Sequence, residues 1–530
     1  MTGDSQHRLT RRAALQGLGA VGATALAGCS SYVPGASGES SLRYAQVLPA
    51  LTLDPVRVAD PWSEKVAGQV FQGLYAHDRE MNLVPVLANG DPSVSDDGRT
   101  YTVELADGPT FQNGDPVTAE DVKYSFEAPV EEDRPGKWQV DMVEAIETPA
   151  ERTVRFELEH PYPAFDHALT RGIVPKSLRE ANPDAFANER PVGSGPYEVG
   201  TFKPAKYAIL SARDDYWGEP KPAVDTAEFI GTYSGLARTM SLKTDQTDVV
   251  ERVQPRLWDV TDGFAGSRVR KARGYHYHYV GFNCNDGPAA DPRVREAVDY
   301  LVDMDEVVKH LVEPIGRRQP TPLPGQVAAD WNLPVEEWSS ISRSKNVEAA
   351  RRLFAAADVS SWSPTIAVPK HDLLREKVGE EIAHGLNEAG FARARVDKYP
   401  WSEFRDRIVT GSSSDYDVFV GAWLGGRDPD TYLYPLLHEN NEGLTNGTFY
   451  RNQDVMTAIR KARRTTDRRR RRRLYESVIE TVLHDRPHLP AFTLDATFGV
   501  ENRVHGFDAH PLASANPRLV GPKHAVTLDE

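Results

Sequence analysis

The sequence predicts an α/β protein built from more than one lobe, on three observations. After Ser41, strand-like and helix-like segments alternate throughout, the pattern of sheets covered by helices. About 500 residues follow the N-terminal segment, enough for two or three domains with sizeable cores. No second long apolar run appears beyond that segment, so the body reads as soluble, with membrane contact left to a lipid or a partner.

The chain opens with Thr10-Arg11-Arg12-Ala13-Ala14-Leu15, then a weakly apolar Ala/Gly/Leu run, then Leu26-Ala27-Gly28-Cys29. The apolar run is shorter than the roughly 20 residues a membrane span needs, and its glycines make it a poor membrane helix. Residues 1–28 therefore read as an export signal and Cys29 as a lipid-attachment site. The Arg11–Arg12 pair resembles the twin-arginine export consensus, except that Ala14 stands where an aromatic is usual. The Gly/Ser/Pro-rich stretch 29–41 reads as a flexible tether. This address places the protein lipid-anchored on the extracellular face of the cytoplasmic membrane, working on solutes outside the cell.

With Cys29 given to lipid, Cys284 is the only other cysteine, which leaves no disulfide framework and no cysteine-based metal site. The formal net charge of −15 is spread along the chain, with far more Arg than Lys. That distribution suits a salt-adapted, halophilic surface, because at about 1 M salt the screening length is only about 3 Å. An acidic trap for cations fits a dispersed charge less well. Nothing resembles an extended basic, aromatic-interleaved surface, so nucleic acid is not an expected partner.

In the body, Thr100-Tyr101-Thr102-Val103-Glu104-Leu105 alternates as a half-buried strand. Asn113-Gly114 marks a turn. Thr118 and Asp121 form a capping box for a helix expected to stop before Pro129. Asp291-Pro292 starts another helix, with Val294, Ala297, Val298 and Leu301 on one core face. Leu474, Val478 and Val482, beside Tyr475, Ile479 and Leu483, make a similar stripe. The run Arg468–Arg473 reads as a solvated helix face, compensated by Asp467 and Glu476.

Several of these segments, taken in order, resemble the solute-binding proteins of ABC importers in the dipeptide, oligopeptide and nickel class, family 5, archaeal lipoprotein members included. The resemblance rests on the strand Tyr101–Leu105, Phe111-Gln112-Asn113-Gly114 and Thr118-Ala119-Glu120-Asp121-Val122. It continues through Gly193-Ser194-Gly195-Pro196-Tyr197, Asp215-Tyr216-Trp217-Gly218, Asn283, Asp291–Ala297, and Asp467 with Arg471, Leu474 and Tyr475. It implies a two-lobed periplasmic-binding-protein-like fold of type II, the large class with an extra subdomain in the first lobe. Lobe 1 is then expected over 42–274, with the subdomain at about 71–191; lobe 2 over 275–487; and a return to lobe 1 over 488–530. The crossovers are expected near 280–283 and 490–492.

The segment expected to touch ligand is the strand end and Gly-Gly loop Trp423, Leu424, Gly425, Gly426, Arg427 and Asp428. Ligands in α/β sheets sit at carboxyl ends of strands, and glycines let the backbone approach a solute. Phe282 and Asn283, beside the expected first crossover, complete the candidate set. Tyr275-His276-Tyr277-His278-Tyr279 puts two histidines on one side of a strand, a weak metal signal without nearby Cys, Asp or Glu ligands. Neither a His-Glu-x-x-His helix nor a Gly-x-Ser-x-Gly elbow occurs. No catalytic residue, metal or cofactor is therefore expected.

The function these residues imply is a receptor, expected as a monomer, that hands a peptide-like solute, modified peptide or chelate to ABC permease and ATPase subunits. A secreted hydrolase is the alternative from another class, and a surface lipoprotein that has lost transport is a third. Peptide-binding members resemble one another in a Trp-x-x-Asp element whose carboxylate pairs with the ligand's terminal ammonium. Here the run is Trp423-Leu424-Gly425-Gly426, so that carboxylate is absent. Dipeptides with a free N-terminus are accordingly expected to bind poorly.

Overall fold

The computed structural model describes residues 40–189 and 191–529. The expected export signal, with Arg11 and Arg12, and the expected lipid site Cys29 lie outside the described residues.

Two large sheets organise the chain. The first runs, in spatial order, Ser267–Ala272, Ala496–Glu501, Val249–Glu251, Ser41–Gln46, Thr226–Gly231, Tyr207–Ala212 and Tyr197–Lys203. The second runs Gly316–Arg318, His488–Leu494, His276–Phe282, Val418–Leu424, Thr365–Pro369 and Arg395–Tyr399. A smaller sheet of Ser93–Val94, Thr100–Glu104, Thr153–Leu158 and Val143–Ala150 packs on the helix Ala119–Glu131 around its own core of Val103, Phe126, Phe156 and Phe165.

The second sheet is covered on both faces, which follows from its strand periodicity. In His276–Phe282, Tyr277 and Tyr279 point into one core with Phe419 and Tyr475, while Val280 and Phe282 point into another with Val294, Ile366 and Val418. The stripes read from sequence on helices Pro292–Asp299 and Arg468–Asp485 are buried here: Val294, Ala297 and Val298 on the first, and Tyr475, Val478, Ile479 and Val482 on the second.

The Thr118–Asp121 capping box is present, with both reciprocal hydrogen bonds formed. The helix it starts does not stop before Pro129 but runs on to Glu131. Proline forfeits its own backbone N–H bond and its ring crowds the Ser125 carbonyl, but Pro129 sits in the last turn, where no further turns depend on that geometry. The arginine run also departs from a uniformly solvated face. Arg468 pairs with Asp330 and Arg472 with Glu476, but Arg471 is buried and reaches Asp428 at 2.7 Å.

The chain passes between the two sheets twice, and not where the sequence suggested. Residues 280–283 and 490–492 lie within or beside paired strands of the second sheet, because His276–Phe282 and His488–Leu494 are antiparallel neighbours there. The crossovers are instead the three residues Arg273-Gly274-Tyr275 and the single residue Asp495, so the return to the first sheet begins after Leu494 and not at 488. The two connections touch: a side chain at Gly274 would overlap the Leu494 carbonyl. Gly274→Ala is expected to cost about 1–3 kcal/mol, the usual range for overpacking, read as a lower midpoint in urea unfolding. An unchanged midpoint would mean that the crossover yields freely.

Candidate functional site

Strand direction locates the site. In the second sheet, Thr365–Pro369 pairs in parallel with both Arg395–Tyr399 and Val418–Leu424. Their carboxyl ends therefore leave on one edge, carrying Lys370-His371-Asp372, Pro400-Trp401 and Gly425-Gly426. In the first sheet, Ser41–Gln46 is parallel to Thr226–Gly231 and to Val249–Glu251, whose ends carry Val47, Thr232-Tyr233 and Arg252. These two edges meet. Arg252 reaches Asp372 at 3.1 Å, the Tyr233 and His371 rings lie 4.6 Å apart, and Trp62 meets Trp401 edge-on at 5.9 Å.

The charges at this contact are arranged in pairs. Glu251 accepts from the Trp62 indole (3.1 Å), the Tyr44 hydroxyl (3.1 Å), the Val47 N–H (2.7 Å) and the Lys65 ammonium. Asp372 accepts from Arg252 and, at 3.1 and 3.0 Å, from Arg375. Burial pushes the Asp372 carboxyl up, but Arg375 and Arg252 together outweigh it and hold the group well below the usual carboxylate range. His276 stands at the mouth of its strand opposite Leu424. Burial, reinforced by Arg252, Lys65 and Arg375, pushes it down to about 3, so it is neutral.

At the other end, the subdomain meets the second sheet's helices. Trp138 lies 5.9 Å from Trp423 and stacks on His167 at 6.0 Å. Tyr162 donates to Asp430 at 2.7 Å, while Arg463 pairs with both Asp430 and Asp141 and lies 3.7 Å from the Tyr434 ring centre.

Of the residues chosen from sequence, Trp423 and Leu424 end their strand at this edge, half-buried. The Trp423 indole donates to the Thr431 carbonyl at 2.7 Å. Gly425 and Gly426 are buried; the Gly426 N–H donates to Thr431 Oγ1 at 2.9 Å, and a side chain there would start 3.3 Å from His167 Nδ1. Arg427 is exposed and turns toward Asp330 (3.5 Å). Asp428 accepts from Arg471, so its carboxylate is engaged away from the loop and does not replace the one missing at 426.

Phe282 and Asn283 do not belong to this group. The antiparallel register sets Phe282 against Val418, the start of the strand whose end carries Trp423, about 20 Å from His276. Phe282 is core, and Asn283 is spent on the turn, accepting the Asn285 and Asp286 N–H groups. Trp62, Arg252, Asp372 and Trp401, which line this contact, were not among the residues chosen from sequence. The signal was available for three of them: Arg252, Asp372 and Trp401 each follow a readable strand within three residues.

The comparisons with known proteins agree with this geometry. Residues 82–443 match the model of the bacterial extracellular solute-binding proteins, family 5. The chain belongs to that family. Protein XP55 of Streptomyces lividans is 28% identical over 461 residues, covering 83% of this chain and 81% of its own. The glutathione-binding protein GsiB of Shigella flexneri is 26% identical over 454 residues, with 83% and 86% covered. In structure, the oligopeptide-binding protein AppA of Bacillus subtilis, solved with a nonapeptide, superposes with a TM-score of 0.82 at 19% identity over 92% of this chain and 99% of that one. The fold is thus the two-lobed α/β fold of these binding proteins, and the protein is a binding protein and not an enzyme. Family members deliver peptides or similar solutes to ABC importers. Among the described residues no helix is long and apolar enough to cross a membrane.

Proposed function

We propose that this chain is a surface receptor that captures a peptide-like or other small solute between its two sheets and passes it to an ABC permease and its ATPase. The observation that carries the reading is the meeting of carboxyl strand ends from both sheets, across contacts such as Arg252–Asp372 and Trp62–Trp401. Equilibrium binding with peptides, glutathione, sugars and metal chelates at native salt tests it. A reversible one-to-one complex is expected, and failure of every class to bind would contradict it.

The receptor is held at the membrane by lipid on Cys29 after export directed by Arg11 and Arg12, and works as a monomer with a salt-adapted surface. Cys29→Ser is expected to release it into the medium with an unchanged melting temperature. Equal membrane retention of variant and parent would refute the anchor. Position 426 carries no carboxylate, and its N–H is already spent on Thr431 Oγ1, so an ordinary dipeptide finds no counter-charge for its ammonium there.

A further inference from the structure

Where the subdomain faces the Gly425-Gly426 loop of the second sheet, one hydrogen-bond donor is left without an acceptor. It belongs to His167, in the short helix Phe165–Thr170: a side chain at Gly426 would start 3.3 Å from His167 Nδ1. The ring stacks on Trp138 at 6.0 Å, and Trp138 lies 5.9 Å from Trp423, at the end of the strand that carries the loop. The imidazole therefore fills the notch left by the missing side chain at 426, on the carboxyl edge of the second sheet.

A chain of hydrogen bonds fixes which nitrogen carries the proton. Arg171 Nη2 donates to Gln139 Oε1 at 2.7 Å, so the other end of that amide, Nε2, is left as a donor. It lies 3.5 Å from His167 Nε2, which accepts. Burial pushes the His167 ring down to about 4, so it is neutral, and its single proton sits on Nδ1. Nδ1 is buried and has no partner among the described residues, an uncommon state for a donor in a folded protein. The neighbouring Gly426 N–H is a donor too, already spent on Thr431 Oγ1.

We propose that His167 sets the class of the solute by presenting this neutral donor, so that the solute's end beside Gly426 carries an acceptor oxygen, an acyl carbonyl or a carboxylate, and not an ammonium. The inference rests on the receptor reading above and narrows the solute within it. An ammonium has donors only, and facing the Nδ1–H it would leave both groups unpaired. An acyl oxygen accepts from the Nδ1–H, while Trp138 and Trp423 give the adjoining carbons an apolar wall. Gln139 is a positioning residue: held by Arg171, it keeps the imidazole in this tautomer.

The test is titration calorimetry of the full chain with dialanine, N-acetyl-dialanine and N-succinyl-dialanine, for the parent, His167→Asn and His167→Gln. The acetyl arm offers a carbonyl and the succinyl arm adds a carboxylate, which separates the two sources of acceptor. His167→Asn keeps an N–H near the place of Nδ1, whereas His167→Gln moves it to the place of Nε2; melting curves check folding. The parent is expected to prefer an acylated probe over dialanine. His167→Gln is expected to weaken the acylated probe about 3- to 10-fold, the worth of one neutral hydrogen bond, with His167→Asn close to the parent. Gln139→Leu, which removes the group that fixes the tautomer, is expected to reduce the same preference and serves if a His167 variant does not fold. An unchanged preference in His167→Gln, or tighter binding of dialanine than of both acylated probes by the parent, would overturn the proposal and leave the receptor intact. If the parent binds none of the three, the solute retained from the native host, identified by mass spectrometry, replaces them. Affinity lost in His167→Gln and kept in His167→Asn then supports the proposal, and equal affinity in all three proteins overturns it alone. No retained solute and no binding of any class overturns the receptor reading as well.

Discussion

Arg463→Met is expected to lower stability by about 3–5 kcal/mol, the range for breaking a buried charge pair from one side, read as a fall in Tm of about 5–10 °C. Asp430 has no accessible surface, and among the described residues Arg463 is its only cationic partner within ion-pair distance. Burial pushes the Asp430 carboxyl up even with Arg463 against it, so without the guanidinium it must take a proton or remain an uncompensated charge. The same arginine reaches Asp141 on the subdomain side, so its loss also releases that contact with the second sheet's helices. Calorimetric melts of parent and variant check the prediction; a change under about 1 kcal/mol, the worth of an exposed pair, would mean that the network is solvated.

Asp372→Asn is expected to have an effect of similar size, for a related reason. It leaves Arg375, 3% exposed, facing a neutral amide, and cuts the Arg252 link between the sheets, a loss of about 3–5 kcal/mol by the same rule. The pH dependence follows from direction alone. Asp372 titrates lower in the folded state than the unfolded value of about 3.9. Its contribution is therefore fully present above about pH 4 and is lost as pH falls toward the folded value. The parent should lose stability below about pH 4 more steeply than Asp372→Asn. Parallel acid limbs in urea unfolding series at pH 2–7 would contradict this.

The alternation of elements and the ordered motifs made the α/β class and the large-scale plan legible, because both depend on local chemistry. The capping box at Thr118 and Asp121 needs only its own four residues, and the strand end at Trp423 is announced by the Gly-Gly that follows. Pro129 misled because a proline in a last turn costs too little to end a helix. Phe282 and Asn283 misled for a non-local reason: antiparallel register sends the far end of their strand to the opposite side of the sheet, and no single strand reveals its partner. Asp372 stayed hidden because its meaning lies in a neighbour more than a hundred residues away in the chain, at Arg252.

On the proposed function, solute binds between the facing carboxyl ends of the two sheets. Hydrogen exchange on the full chain, compared between protein carrying its retained solute and protein stripped of it by unfolding and refolding, tests this most directly. Added protection is expected around residues 61–70, 165–170, 249–252, 370–375, 400–404 and 423–431, with the outer helices unchanged. Protection confined to surfaces remote from these segments, or none at all with solute bound, would contradict it.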